Sequence, residues 1–339
     1  MTANAPTDPI TFDFNLGFKS MADRIAGELD ERKSFGSRAL RYNIPFLDDV
    51  LLGIFPHDLV LVGAPTGAGK TELVRLIAQS NARQGKRVHL FALEAEQTEI
   101  ERRTKYGLLA ELAYKRNRDT SSLSYRRWYA GMCEHIVGDL NESADRMLAT
   151  DFKNLHTYYR GARFDMNEMA RLFKAVQSQT DLIVLDHLHY VDLDGENENS
   201  EYGKLLKLIR ATALEMGKPV ILVAHLRKRD LRSRSLVPEI EMFHGSSEIT
   251  KVATTAILLS PARTLQEKAQ WYQSYTFFHV PKDRAEGAAG YVAACAFDRR
   301  FKNYSPHYTL GRLNAAGDEW TEIAMNDRPS WASNHRGLQ

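Results

Sequence analysis

The chain has 339 residues, a formal net charge of +2, 43% hydrophobic residues and 26% charged residues. That length supports one large domain or two small ones, and the near-zero charge means that any basic surface must be local. Two cysteines, Cys133 and Cys295, exclude a disulfide framework and a cysteine-based zinc site. No apolar run reaches membrane-spanning length, and the opening "MTANAPTDPI" lacks the basic and apolar regions of a signal peptide. A soluble cytoplasmic protein without a membrane partner is the resulting expectation.

Residues 1–15 are polar and proline-bearing and read as disordered. Between Gly17 and Lys33, the side chains Phe18, Met21, Ile25 and Leu29 share one helical stripe, with Ser20 as N-cap and Asp23 three residues on. Gly36 and Ser37 end that helix. Strand-like runs follow at 58–64, 87–94, 154–160, 181–186, 219–226 and 254–260. Helical stretches intervene, including 70–84, 96–116, 165–179 and 202–216. Almost continuously apolar strands alternating with helices predict a doubly wound α/β core, its mostly parallel sheet covered by helices on both faces. Residues 97–150 form a helical excursion between two core strands. Segments 271–282 and 287–297 form a C-terminal β-hairpin. The predicted division is a loose N-terminus (1–15), a helix (16–36), an α/β domain (37–321) and a flexible tail (322–339).

The strongest local signal is "GAPTGAGKT", residues 63–71, between an apolar strand and a helix. That is the context of a phosphate-binding loop. Ala64 stands where the strict pattern has glycine, so the match is to a relaxed form. The cradle comprises Ala64, Pro65, Thr66, Gly67, Ala68, Gly69, Lys70 and Thr71. Its glycines let the backbone curl so that the amides of 67–71 face phosphate oxygens at a helix N-terminus. Lys70 reaches the β- and γ-phosphates, and the Thr71 hydroxyl is a ligand for magnesium. "DLIVLD" ends in Asp186, a second magnesium ligand at the C-terminal edge of the sheet. ATP and Mg2+ are therefore the predicted ligands.

Some phosphate-loop ATPases (the AAA+ and ABC types) place their water-orienting glutamate directly after this aspartate; here His187 occupies that position. Glu94, at the end of the strand "RVHLFALE", is the alternative base. The competing reading of Glu94 is a cap for a helix beginning near Ala95. His187 and His189 alternate as strand residues do, but lack further metal ligands, and read as structural or DNA-facing.

This layout resembles the RecA-like class, and in particular the C-terminal motor domain of DnaB-type replicative helicases. "IPFLDDVLLGIFPHDLVLVGAPTGAGKT" is similar to that family's opening segment, "LFALEAE" to its Ser-Leu-Glu-Met strand, and "DLIVLDHLHYV" to its Asp-Tyr-Leu-Gln segment. "KLLKLIRATALEMGKPVILVAHLRK" parallels the helix and strand that follow, and "HVPKDRAEGAAGYVAACAF" resembles the terminal Lys-x-Arg hairpin. The series covers roughly residues 40–310 in family order.

What the resemblance implies is specific. His225, ending its strand, becomes a γ-phosphate sensor. Lys282 and Arg284 reach the site of a neighbouring subunit, with Arg284 as the trans arginine finger. The basic run after the sensor, Arg227, Lys228, Arg229, Arg232 and Arg234, becomes a channel loop gripping the phosphates of single-stranded DNA. Gly245 and Ser246 of "FHGSSEITK" belong to a second channel element, whereas the acidic "DLDGENENSE" departs from a phosphate-binding pattern. The family reading is a homo-oligomeric, hexameric DNA helicase in a phage-like or mobile-element form. It would be reduced to its motor domain, with helix 16–36 packing on the next subunit, and would work with a separate primase and helicase loader. Two other readings stand beside it: a RecA-like recombination ATPase that forms filaments without unwinding, and a nucleotide-switched partner of another helicase.

Overall fold

A computed structural model of the chain describes residues 20–193, 195, 197–227, 235–243, 251–285 and 290–337. It has two compact units, residues 1–39 and 40–339. In the first, α1 (Met21–Ile25) is capped by Ser20, whose hydroxyl accepts from the Asp23 N–H at 3.0 Å. The single helix expected here is two, because Gly27 adopts φ +93°, a left-handed conformation that ends α1 before α2 (Glu28–Arg38) begins. Met21, Ile25 and Leu29 are exposed, and Phe18 lies outside the described residues.

The second unit begins with α3 (Pro45–Leu51), β1 (Leu59–Ala64), α4 (Lys70–Arg83), β2 (Val88–Ala92) and α5 (Glu99–Lys115). The excursion continues through α6 (Tyr125–Tyr129), α7 (Glu134–Val137) and α8 (Asn141–Asp151). It packs on α5 around its own apolar cluster of Tyr106, Leu109, Leu123, Val137 and Leu140. After it come β3 (Leu155–Tyr159), α9 (Met166–Val176), β4 (Leu182–Asp186), α10 (Glu198–Met216), β5 (Val220–His225) and β6 (Thr255–Pro261). The last strands are β7 (Gln273–Asp283), β8 (Val292–Asp298), β9 (Asn303–Leu313) and β10 (Trp320–Glu322).

The ten strands among the described residues form one sheet in the order β10-β9-β8-β7-β6-β1-β5-β4-β2-β3. β6 through β3 run parallel, and β7 to β10 add antiparallel strands at one side. Alternation within each buried strand divides the core between two faces. Val60, Val62, Val184 and Val223 meet Leu73 and Ile77 of α4, while Leu61, Leu185 and Leu222 meet Phe173 of α9 and Ile209 of α10. The doubly wound α/β core predicted from the alternating runs is therefore the fold observed.

Two boundaries differ from expectation. β7 runs on through Asp283 because it pairs with β6 as well as β8, so Lys282 lies within a strand rather than at a free hairpin tip. Chain beyond Glu322, expected to be flexible, is held down instead. The Asp49 carboxylate accepts from the Ser333 hydroxyl and the Asn334 backbone N–H at 3.0 and 3.1 Å. His335 is fully buried, its Nδ1 accepting from the Leu310 N–H. No helix among the described residues is long and apolar enough to cross a membrane.

Candidate active site

The parallel strands bring Lys70, Glu94, Asp186 and His225 to one edge of the sheet. Register pairs Ala64 with His225 and Ala92 with Asp186, so four strand ends form a row. Between β1 and α4, Gly67 and Gly69 take φ +78° and +93°, and Gly69 is the N-cap of α4. L-residues rarely adopt that conformation, so the curl depends on glycine at both places. Lys70, 7% exposed, donates from Nζ to the carbonyls of Ala64 at 3.0 Å and Pro65 at 3.3 Å. Burial lowers its pKa, against the opposing pull of Asp186 and Glu94.

Asp186 is buried, and desolvation pushes its carboxyl up to about 6 even though the Thr71 side chain hydrogen-bonds to it. Its Oδ1 has no hydrogen-bond partner. A hydroxyl beside an enclosed, donor-free carboxylate oxygen fits a hard cation such as Mg2+. Amides of a glycine loop at a helix N-terminus fit phosphate. The residues present therefore suit both predicted ligands.

Glu94 lies just beyond β2, in a turn fixed by the Leu93 N–H donating to the Asp186 carbonyl at 2.6 Å. Its side chain is 44% exposed, with Oε2 3.4 Å from His187 Nε2. The capping alternative does not hold, since α5 begins at Glu99 with Thr98 at its N-cap. His187 is fully buried, which overturns a DNA-facing role for it. Its ring meets that of His225 edge-on, centroids 3.9 Å apart. Burial, then the neighbouring His225, His189 and Lys70, holds the His187 ring neutral by lowering its pKa to about 2.

Lys282 and Arg284 sit elsewhere. Asp283 pairs with Thr255, and the Arg284 N–H donates to the Thr254 carbonyl at 2.9 Å. Thr254 in turn bonds Leu59, the first residue of β1, whereas the phosphate loop leaves from its last. The Lys-x-Arg pair is thus at the opposite edge of the sheet, roughly 17 Å away by the rise of the six-residue strand. Arg284 is exposed; burial, and after it the Arg284 charge, lowers the pKa of Lys282. Of the DNA-binding candidates, Arg227 follows β5, its N–H donating to the Met242 carbonyl at 2.7 Å. Lys228, Arg229, Arg232, Arg234, Gly245 and Ser246 lie outside the described residues.

Residues 40–306 match the family model of the DnaB-like helicase C terminal domain. The chain belongs to that family. As a DnaB-like domain it is an ATPase of the replicative-helicase type. No curated protein matches it. Among solved structures it resembles an isolated ATPase domain at 16% identity and TM-score 0.68, covering 85% of this chain and 98% of that one. It also resembles a DnaB-like replicative helicase studied for its interactions with primase, at 16% identity and TM-score 0.65, covering 85% of this chain and 67% of that one. These likenesses bear out the RecA-like fold. Sequence reading of this DnaB-like domain missed two features. One is the contact of His187 with both Glu94 and His225. The other is Glu72, in the first turn of α4, held by Arg75 and Arg103; only the i, i+3 spacing of Glu72 and Arg75 hinted at it.

Proposed function

We propose that this domain is the motor of a ring-forming helicase that hydrolyses ATP, translocates on single-stranded DNA and unwinds duplex during replication. A phage or mobile-element setting, with separate primase and loader, completes the reading. The loop amides and Lys70 bind the ATP phosphates. Thr71 and Asp186 would hold magnesium, which when bound neutralises phosphate charge. Glu94 orients and polarises the attacking water, and His225 donates to the γ-phosphate and registers its loss.

The observation that carries the ring is the placement of Lys282 and Arg284 on the sheet edge opposite the phosphate loop. They cannot complete their own subunit's site, but a head-to-tail neighbour presents that edge to it. The sharpest test is strand displacement on a forked substrate with ATP, combined with imaging of particles on single-stranded DNA. Closed rings that unwind the fork are expected; filaments without unwinding would overturn the reading.

Two variants refine it. Lys70→Ala should reduce hydrolysis to background, because it removes the buried cation at the start of α4 that faces Asp186 and Glu94; steady-state phosphate release measures this. Neutralising Arg229 and Arg232 together should leave basal hydrolysis intact while weakening its stimulation by DNA. Removing two phosphate contacts also flattens the salt dependence of DNA binding by roughly 1.4 in log–log slope. Unchanged stimulation would place the DNA channel elsewhere.

A further inference from the structure

The proposed base and the proposed sensor stand on different strands, and one buried side chain touches both. We propose that His187 is a positioning residue whose Nε2–H holds the Glu94 carboxylate while its ring backs His225, so that water orientation and γ-phosphate sensing are coupled. This rests on the roles of Glu94 and His225 given above. Three observations support it. His187 follows β4, is itself fully buried and caps the short turn 188–190. Its Nδ1 accepts from the His189 N–H at 3.2 Å. Its Nε2 has no hydrogen-bond partner, yet lies 3.4 Å from Glu94 Oε2.

The first of these hydrogen bonds decides what the ring can do. With its Nδ1 lone pair engaged by a backbone N–H, the neutral ring carries its hydrogen on Nε2. Nε2 is therefore a donor aimed at a carboxylate. Glu94, His187 and His225 otherwise have the make-up of a metal site, with ligand atoms within 4.8 Å of one another. A metal on Nε2 would need the lone pair there and would force a proton onto Nδ1, against the His189 N–H. The geometry thus favours donation over metal ligation.

At 3.4 Å the Nε2–Glu94 pair is longer than a closed N–H···O bond, and catalytic hydrogen bonds commonly shorten once substrate is bound. Glu94, nearly half exposed, is the member free to move. His225 meets the ring of His187 edge-on at an interplanar angle of 88°, so a displacement of the sensor presses on the same ring. The His189 Nδ1 accepts from the His225 backbone N–H at 3.4 Å, which ties the 187–189 turn to the end of β5.

Three replacements separate positioning from packing. His187→Gln keeps an N–H donor near the Nε2 position, His187→Asn keeps an acceptor near Nδ1, and His187→Phe keeps only ring volume. Positioning predicts that Gln rescues most of kcat, whereas Asn and Phe lose about 10²-fold, the cost of a misplaced catalytic group. Nucleotide Kd should stay unchanged in all three. If kcat instead tracks thermal stability across the set, or Asn performs as well as Gln, the proposal is overturned. Should Phe fail to fold, the Gln–Asn comparison still decides. A double-mutant cycle provides the second readout: in a Glu94→Gln background, His187→Asn should cost nothing further. Full additivity would overturn the coupling, whereas normal hydrolysis by Glu94→Gln alone would overturn the role of Glu94 instead. Calorimetric titration of the wild-type protein with Zn2+ or Co2+ completes the test, because tight binding lost in His187→Phe would make this a metal site.

Discussion

Arg284→Ala protein is expected to bind ATP normally and to hydrolyse it about 10³–10⁵-fold more slowly than wild type, the range an arginine finger contributes to phosphoryl transfer. The decisive measurement is mixing. A Lys70→Ala subunit has a dead phosphate loop but an intact Arg284; an Arg284→Ala subunit has the converse. Each pure protein should be inactive. In a 1:1 mixture of head-to-tail rings, half of the sites have an intact loop, and half of those face a neighbour with its arginine. Roughly a quarter of wild-type hydrolysis should therefore return. A residue acting within its own subunit gives no recovery at any ratio. Position makes the trans outcome the physical expectation, since Arg284 is tied to Thr254 beside the start of β1 while Lys70 follows its end. Lys282 lies on β7, paired with Ala256 of β6, two residues before Arg284. Lys282→Ala should produce a smaller loss that mixing also repairs.

Much of this was legible in the sequence because parallel strands covered on both faces need near-continuous apolar runs, and several such runs stand out. The phosphate loop was legible because its glycines have a conformational reason to be there. What escaped was contact between segments far apart in the chain, or geometry set by one residue. Gly27 falls inside the apolar stripe that predicted one helix, and its left-handed φ splits that helix in two. "DHLHYV" looked like strand alternation that would put His187 and His189 on one face. Residues 188–190 form a 3-10 turn instead, which breaks the alternation and turns His187 toward Glu94. β9 went unread because Pro306 and its polar neighbours blur the period-2 pattern. It is recruited by pairing with β8, across a register irregularity between Cys295 and Phe297. The tail after Glu322 has the composition of a loose end, and contacts with distant residues, the Asp49 carboxylate about 280 residues earlier and the Leu310 N–H among them, explain why it is held.

Glu72→Gln is expected to destabilise the domain by about 3–5 kcal/mol, the cost of breaking a buried ion pair by removing one partner. One Glu72 oxygen accepts from Arg75 at 2.8 Å, the other from Arg103 at 2.5 Å, with Lys302 Nζ at 3.9 Å from the latter. Arg75 is 2% exposed and spends its remaining donors on Gln79 and the Lys302 carbonyl. Glutamine keeps an acceptor but removes the anion, leaving Arg75, Arg103 and Lys302 without the carboxylate they share. Roughly 6–10 °C should be lost from Tm at neutral pH, measured by circular dichroism. The exposed pair of Lys115 and Glu111 gives the control, since Glu111→Gln should cost no more than about 0.5 kcal/mol.

Acid titration then separates charge from packing. Burial raises the Glu72 pKa, but Arg75, Lys302 and Arg103 outweigh it and bring it from 4.5 down to about 2. A depressed folded-state pKa stabilises the native state above the unfolded value, and that contribution is lost as pH falls from about 4.5 towards 2. Its size is on the order of 3 kcal/mol, from the cited shift at 1.36 kcal/mol per unit. Wild-type stability should accordingly fall across this window more steeply than that of Glu72→Gln, and the two curves should converge near its lower end. Parallel curves would mean that the variant's loss comes from packing. Convergence would show that the turn carrying Lys70 and Thr71 is anchored to α5 and to the start of β9 by one buried carboxylate, two residues from the phosphate-binding lysine.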